Sequence, residues 1–171
     1  MTTIRLRQEA DLEQCASLMK EVYTSDGYPV EGADDARKFL SDPKIQAAWI
    51  AEREGNIIGH VCINKPTPGD ASVALWWQQH GTKEPIAVLG RLFLHREARS
   101  SGLAAKLLDA AVSWASNRGL RLVLFALTRI PAPIRFYERQ GWHRFGETYH
   151  ECATDGKRYP AICFTWPTGG S

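Results

Sequence analysis

One stretch, residues 86–127, constrains the fold of this chain more than any other. Ile86 to Leu94 is a long apolar run interrupted by Gly90 and Arg91, which reads as a central strand that bends or bulges at that pair. Leu103, Leu107, Leu108, Ala111, Val112 and Ala115 then recur at helical spacing as one apolar stripe, and Gly119 is available as a left-handed cap after Asn117-Arg118. Leu120 to Leu127 follows as a near-continuous apolar strand of the kind buried on both faces. Strand, helix and strand in this order predict one parallel crossover unit, since a tight turn cannot join parallel strands.

The flanking segments read as further strands and helices. Ile4-Arg5-Leu6-Arg7 alternates at period two as a strand, and Leu12, Cys15, Ala16, Leu18, Met19 and Val22 place a helix over Ala10 to Val22. Tyr23 to Pro29 breaks that pattern, and Ala33 to Leu40 gives a short second helix. Ala47 to Glu52 and Ile57 to Asn64 are strand-like runs joined by Arg53-Glu54-Gly55-Asn56, a hairpin connection that pairs them antiparallel. Ser72 to Gln79 fits a strand or one helical segment. Pro131 and Pro133 suit a helix entry, so Ala132 to Gln140 is a short helix ended by Gly141. Trp142 to His150 and Ala161 to Trp166 supply the last strands, turned at Asp155-Gly156, and the tail at 168–171 frays.

A chain of 171 residues is long enough for one domain with a substantial core, read here over residues 3–167. The net charge of +2, from 21 basic and 19 acidic residues, argues against a nucleic acid or anionic membrane partner and makes any anion site local. The N-terminus lacks the apolar core of a secretory signal, and no apolar run approaches the ~20 residues a membrane helix needs. Cys15, Cys62, Cys152 and Cys163 are widely spaced, which suits a reducing, cytoplasmic setting and leaves no zinc-type pairing, so no metal site is expected.

The chemistry concentrates in Arg99-Ser100-Ser101-Gly102-Leu103-Ala104, between the strand ending Leu92-Phe93-Leu94 and a helix beginning near Gly102. Such a junction gathers unpaired backbone N–H groups and the positive end of the helix dipole at one point, an anion cradle. Gly102 removes a Cβ where a phosphate would approach, Ala104 keeps the first turn small, and Arg99 adds fixed positive charge. The spacing matches neither G-x-x-x-x-G-K-[ST] nor G-x-G-x-x-G, so P-loop and Rossmann nucleotide folds are disfavoured. There is no G-x-S-x-G elbow for an esterase, while Cys62 and Cys163, in apolar strands, read as core residues more readily than as acyl-transfer nucleophiles.

Arg99, Gly102 and Ala104 match [Q/R]-x-x-G-x-[G/A], and in this the chain resembles the GNAT N-acetyltransferase superfamily. Leu92 to Arg99 resembles that family's strand leading into its cofactor loop, and Phe136-Tyr137-Glu138-Arg139-Gln140-Gly141-Trp142 resembles its later aromatic-Tyr-Glu-basic-x-Gly-aromatic signature. The element order fits from Ile4 to about Trp166. The resemblance implies an α/β fold with a mostly antiparallel mixed sheet of six to seven strands, a parallel pair at the cofactor cleft and about four flanking helices. The sequence departs from the pattern at Arg96, Ser101 and Ile130, which puts the weight of cofactor binding on backbone donors.

The resemblance also implies direct attack of an amine on the thioester of acetyl-CoA, the acyl donor. Backbone groups of Leu92, Phe93 and Leu94 would polarise the carbonyl, and the cofactor would be held by Arg99, Ser100, Ser101, Gly102, Leu103, Ala104, Ala105 and Arg139. Tyr137 is the implied general acid to the departing thiolate, since a phenol with a pKa of ~10 is protonated at neutral pH. Apart from the resemblance, Tyr137 reads as a buried tyrosine with its hydroxyl bonded to backbone. No spacing selects a general base among Glu84, Glu151, His80, His95 and His143; His95 stands nearest the cofactor strand. The first helices and their loop would set specificity through Tyr23 and Tyr28, with Asp26 nearby; Trp76 and Trp77, read as strand neighbours, would face opposite sides. The expected partner is a small-molecule amine, with a protein or peptide acceptor, or a non-catalytic acyl-CoA sensor, as alternatives, and a homodimer through an edge strand is open.

Overall fold

The computed structural model describes residues 1–29 and 32–167; the expected frayed tail at 168–171 lies outside the described residues. In chain order it contains strand β1 (Thr2–Leu6), helix α1 (Leu12–Asp26), helix α2 (Ala36–Leu40), strands β2 (Ile45–Arg53) and β3 (Asn56–Asn64) and helix α3 (Ala71–His80). Strand β4 (Ile86–Leu94), helix α4 (Leu103–Asn117), strand β5 (Arg121–Leu127), helix α5 (Pro131–Arg139) and strands β6 (His143–Glu151) and β7 (Arg158–Thr165) follow. Short 3-10 turns at Glu9–Asp11 and Arg96–Ala98 precede α1 and α4. The chain forms two compact units: residues 1–64 with 89–111, and residues 65–88 with 112–171.

In the first unit β1 pairs antiparallel with β2 from Thr2↔Arg53 to Leu6↔Trp49, and β2 with β3 through the expected hairpin. Helix α1 packs on β3 and α2 on α1, burying Leu12, Cys15, Leu18, Met19 and Val22 against Leu40, Ile50, Ile57 and Phe93. The apolar spacing that predicts α1 ends at Val22, yet the helix continues through Tyr23, Thr24, Ser25 and Asp26. It stops at Gly27, whose φ of 72° is the left-handed conformation glycine adopts without steric cost, and whose N–H bonds the Tyr23 carbonyl at 2.8 Å. Tyr23 and Asp26 therefore stand on a helix, where the sequence reading has a loop.

In the second unit Ile86–Val88 of β4 pairs parallel with Arg121–Val123 of β5, the crossover expected from the sequence. Strand β7 pairs antiparallel with both β5 and β6. Hydrogen-bonded neighbours thus run β1-β2-β3-β4-β5-β7-β6, a mixed α/β arrangement of seven strands with one parallel pair. The ambiguous segment is the helix α3. Asp70 caps it, its carboxylate accepting the Ser72 and Val73 N–H groups at 2.9 and 3.2 Å. Trp76 and Trp77 are helical neighbours as a result: Trp76 is buried with Val73, Ile86, Val88 and Val123, and Trp77 packs half-buried against the same cluster.

Candidate functional site

Strand β4 bends where the sequence places a bend, but the left-handed residue is Arg91, at φ 51°, and Gly90 is not. A non-glycine residue takes that conformation only when its surroundings hold it there. The Arg91 side chain, 7% exposed, donates from Nε to the Phe39 carbonyl at 3.1 Å, lies 3.9 Å over the Phe39 ring and reaches Asp42 at 3.6 Å. Its carbonyl oxygen accepts a 2.8 Å bond from Nδ1 of His60 on β3. Beyond the bend Leu92 is half-buried, and Phe93 and Leu94 are buried.

After Leu94 the chain makes its 3-10 turn. His95 caps it, Nδ1 accepting the Glu97 N–H at 3.2 Å, and this assigns the ring proton to Nε2, which faces the Glu21 carboxylate at 3.4 Å. Both ring nitrogens thus have partners, which favours a structural part for His95. Arg99 then turns back, its guanidinium 2.5 Å from the Asp26 carboxylate and 3.4 Å from the Leu94 carbonyl. Burial pushes the Asp26 carboxyl up, but hydrogen bonds from Arg99 and Ser25 and the charges of Arg99 and Arg96 outweigh it and leave the group below its ordinary range. The Asp26 carboxylate is therefore engaged by Arg99.

Ser100 and Gly102 adopt φ of 63° and 80°, left-handed residues one apart, and the Ser101 hydroxyl donates to the Ala98 carbonyl. Alternating handedness turns successive N–H groups toward one side, an anion-binding nest. At the start of α4 the Lys106 N–H bonds the Gly102 carbonyl at 3.2 Å. A Cβ built on Gly102 meets nothing within 4 Å, so the space before the helix is open. Arg99, Ser100, Ser101 and Gly102 are exposed, Leu103 is buried and Ala104 and Ala105 are half-buried. These features fit a pyrophosphate held by main-chain donors.

Also in the first unit, a cavity of about 310 Å³ is lined by Glu21, Val22, Thr24, Ser25, His95 and Arg96. Tyr23 is exposed, with its hydroxyl near Gly32, and Tyr28 packs half-buried on the core. In the second unit Tyr137, on α5, is 8% exposed and sits among Phe136, Trp142 and Phe164 at ring distances of 5.5, 5.7 and 5.9 Å. Burial pushes its phenol well above the ordinary tyrosine range. Among the described residues its hydroxyl makes no hydrogen bond to the protein, unlike the backbone-bonded tyrosine expected apart from the resemblance. Arg139, one turn end away, is exposed.

The other base candidates are scattered. Glu84 bonds Arg121 at 2.8 Å, His80 stacks on Trp76 at 4.0 Å, Glu151 lies 4.0 Å from Arg158, and His143 is exposed at the start of β6. Burial pushes the thiols of Cys62 and Cys163 up to about 11 and about 12, so neither supplies a thiolate at neutral pH. Sequence reasoning missed His60 and the anchored Arg91. A histidine in the otherwise apolar run Ile57 to Asn64 is the one signal that could have pointed there.

The turn at Arg91, the left-handed pair Ser100 and Gly102 and the start of α4 thus follow one another along the chain. The family profile described as Acetyltransferase (GNAT) family matches residues 12–142, and the chain belongs to that family. It is an acetyl-CoA-dependent N-acetyltransferase, with acetyl-CoA as acyl donor. Among solved structures it is similar to Arabidopsis thaliana NAA60 in complex with acetyl-CoA (15% identity, 99% of this chain and 100% of that chain, TM-score 0.74). It is also similar to the ribosomal-protein-alanine N-acetyltransferase from Brucella melitensis (17% identity, 96% and 98%, TM-score 0.71) and an acetyltransferase of the GNAT family from Streptococcus pneumoniae (20%, 97% and 98%, TM-score 0.69). No curated protein matches the sequence. Among the described residues no helix is long and apolar enough to cross a membrane.

Proposed function

We propose that the chain acetylates the primary amine of a small molecule by direct attack within a ternary complex. The observation that carries this reading is the cavity of about 310 Å³ beside the end of β4, within the size range of small-molecule sites and bearing the Glu21 carboxylate for an ammonium group. Tyr23 and Tyr28 on the same unit add aromatic surface for cation–π contact.

In this reading the N–H groups of Ser100 to Ala105 hold the pyrophosphate of the acyl donor, and Arg99 fixes the loop through Asp26 and Leu94. Arg139, an exposed cation at the end of α5, adds charge for the same donor. N–H groups of Leu92, Phe93 and Leu94 polarise the thioester carbonyl. Tyr137 protonates the thiolate; its part rests on the family signature, and a phenol kept protonated by burial supports it. A single domain over 3–167 is part of this reading, as are a homodimer through the exposed edge strand β6 and a cytoplasmic setting, which four buried free thiols support.

A second reading is favoured by one of the named neighbours, a ribosomal-protein-alanine N-acetyltransferase: acetylation of a protein or peptide. Thiol release from acetyl-CoA, followed against polyamines, amino acids, aminoglycosides and peptides, separates the two. Turnover with small amines and none with peptides is expected, and turnover confined to peptides overturns the small-molecule reading. Binding of acetyl-CoA without thiol release across the panel would mark an acyl-CoA sensor.

A further inference from the structure

His60 lies in the middle of β3, 0% exposed, among apolar residues. Its two nitrogens have different partners: Nδ1 is 2.8 Å from the Arg91 carbonyl oxygen, and Nε2 is 2.8 Å from Nη1 of Arg7. A carbonyl can only accept and a guanidinium can only donate, so the ring is the neutral tautomer with its proton on Nδ1. Burial favours the same state, pushing the imidazole down to about 3; the bond to the Arg91 carbonyl opposes this, and the charges of Arg7 and Arg91 add to it. The ring is stacked on Phe93, centroids 4.9 Å apart and planes 13° from parallel, which fixes its rotation.

The carbonyl that His60 holds belongs to the peptide joining Arg91 to Leu92. A peptide unit is planar and trans, so the direction of the Arg91 C=O fixes that of the Leu92 N–H, which points the opposite way, away from His60. The plane lies at the residue of β4 whose φ is 51°, a left-handed conformation that a non-glycine residue keeps only when its surroundings hold it. One side of the bend is fastened by the Arg91 side chain on Phe39 and Asp42, and the peptide plane itself by His60.

We propose that His60 is a positioning residue for acetyl transfer, holding the Arg91–Leu92 peptide so that the Leu92 N–H is aimed at the thioester carbonyl. This rests on the reading in which N–H groups of Leu92 to Leu94 polarise that carbonyl. A preorganised donor acts by its direction, and a misplacement of about 1 Å can cost on the order of a hundredfold in rate. His60 touches neither substrate and acts only through the peptide.

The test compares three variants of the full chain with the wild type, measuring kcat, KM for acetyl-CoA, coenzyme A Kd by calorimetry, and Tm. His60→Phe keeps a ring for the Phe93 stack and removes the donor. His60→Asn places an amide N–H near the position of Nδ1, and His60→Gln near that of Nε2. The expected result is a kcat about tenfold or more lower in His60→Phe with Kd within about twofold of wild type, and recovery to within about threefold in His60→Asn but not in His60→Gln. If His60→Phe does not fold, the Asn and Gln variants alone decide, since a purely structural histidine gives no reason for their kcat values to separate at matched Tm. Unchanged kcat in His60→Phe, or equal kcat in His60→Asn and His60→Gln, overturns the positioning role and leaves acetyl transfer standing. A wild type that neither binds coenzyme A nor releases thiol overturns the underlying reading, and the positioning role with it.

Discussion

The carboxylate of Asp26, the last residue of α1, lies 2.5 Å from the guanidinium of Arg99, the first residue of the loop that leads into α4. The same guanidinium reaches the Leu94 carbonyl at 3.4 Å, so one side chain ties the end of α1, the end of β4 and the loop together. Both partners are partly exposed, and pairs of that kind contribute about 1 kcal/mol or less to stability. The pair matters through where it holds the loop.

Two functions for Arg99 therefore make opposite predictions. If main-chain donors bind the pyrophosphate and Arg99 orders the loop, Asp26→Asn weakens coenzyme A binding by about threefold to tenfold with little change in Tm. If the Arg99 charge binds phosphate directly, Asp26→Asn frees it and tightens binding. We expect weakening, and an Asp26→Ala/Arg99→Ala double variant no weaker than the poorer single one, because each change breaks the same tie. Calorimetric titration with coenzyme A measures both.

At Gly102 the cost of a side chain is separable from crowding. A Cβ meets nothing within 4 Å, so Gly102→Ala loses stability only through its φ of 80°, roughly 1 to 2 kcal/mol. Coenzyme A affinity should fall by about tenfold as well, since the methyl group projects where the phosphate approaches the backbone. Thermal melts with and without coenzyme A report the two losses separately.

Tyr137→Phe removes a hydroxyl that has no hydrogen bond among the described residues, so stability should change by less than about 1 kcal/mol. Turnover should fall by about a hundredfold if the phenol protonates the thiolate. Because burial raises its pKa, the acid form persists through the alkaline range, and the kcat profile should show no falling limb from this group up to about pH 10. Unchanged turnover in Tyr137→Phe would remove the phenol from the chemistry, and a limb below pH 10 present in the wild type but absent from the variant would contradict the raised pKa.

His60 also leaves a mark on stability. Its folded pKa of about 3 lies below the unfolded value of ~6.5, so between those limits the unfolded chain takes up a proton that the folded chain does not. Its contribution is fully present above pH 6.5 and is lost as the pH falls toward 3, at up to about 1.4 kcal/mol per unit. From pH 7 to 5 the wild type should lose roughly 2 kcal/mol more than His60→Asn, measured by urea unfolding at each pH.

Much of this was legible in the sequence because it rests on long periodic runs closed by glycine. The β4–α4–β5 crossover, the β2–β3 hairpin and the loop at the start of α4 all have that form. Helix α3 was not legible, since Ala71, Ser72, Val73 and Trp76 make a buried face too short and too mixed to separate helix from strand. Its clearest local mark is the Asp70 cap, and Asp70→Ala should cost about 1 kcal/mol of stability, read by thermal unfolding. The tail of α1 was hidden because Tyr23 to Asp26 add no apolar residue to its stripe, leaving Gly27 alone to mark the end. His60 was hidden for another reason: its partners Arg91 and Arg7 are 31 and 53 residues away, and only the fold brings them together.

Titration of the protein with coenzyme A in a calorimeter, beside a Gly102→Val variant, measures whether the loop before α4 holds the acyl carrier. One site per chain is expected, and affinity at least about tenfold weaker in the variant, whose branched side chain disfavours the left-handed conformation and fills the nest. No heat of binding to the wild type, or equal affinity in a folded Gly102→Val, would contradict the claim that main-chain donors of Ser100 to Ala105 hold the acyl carrier.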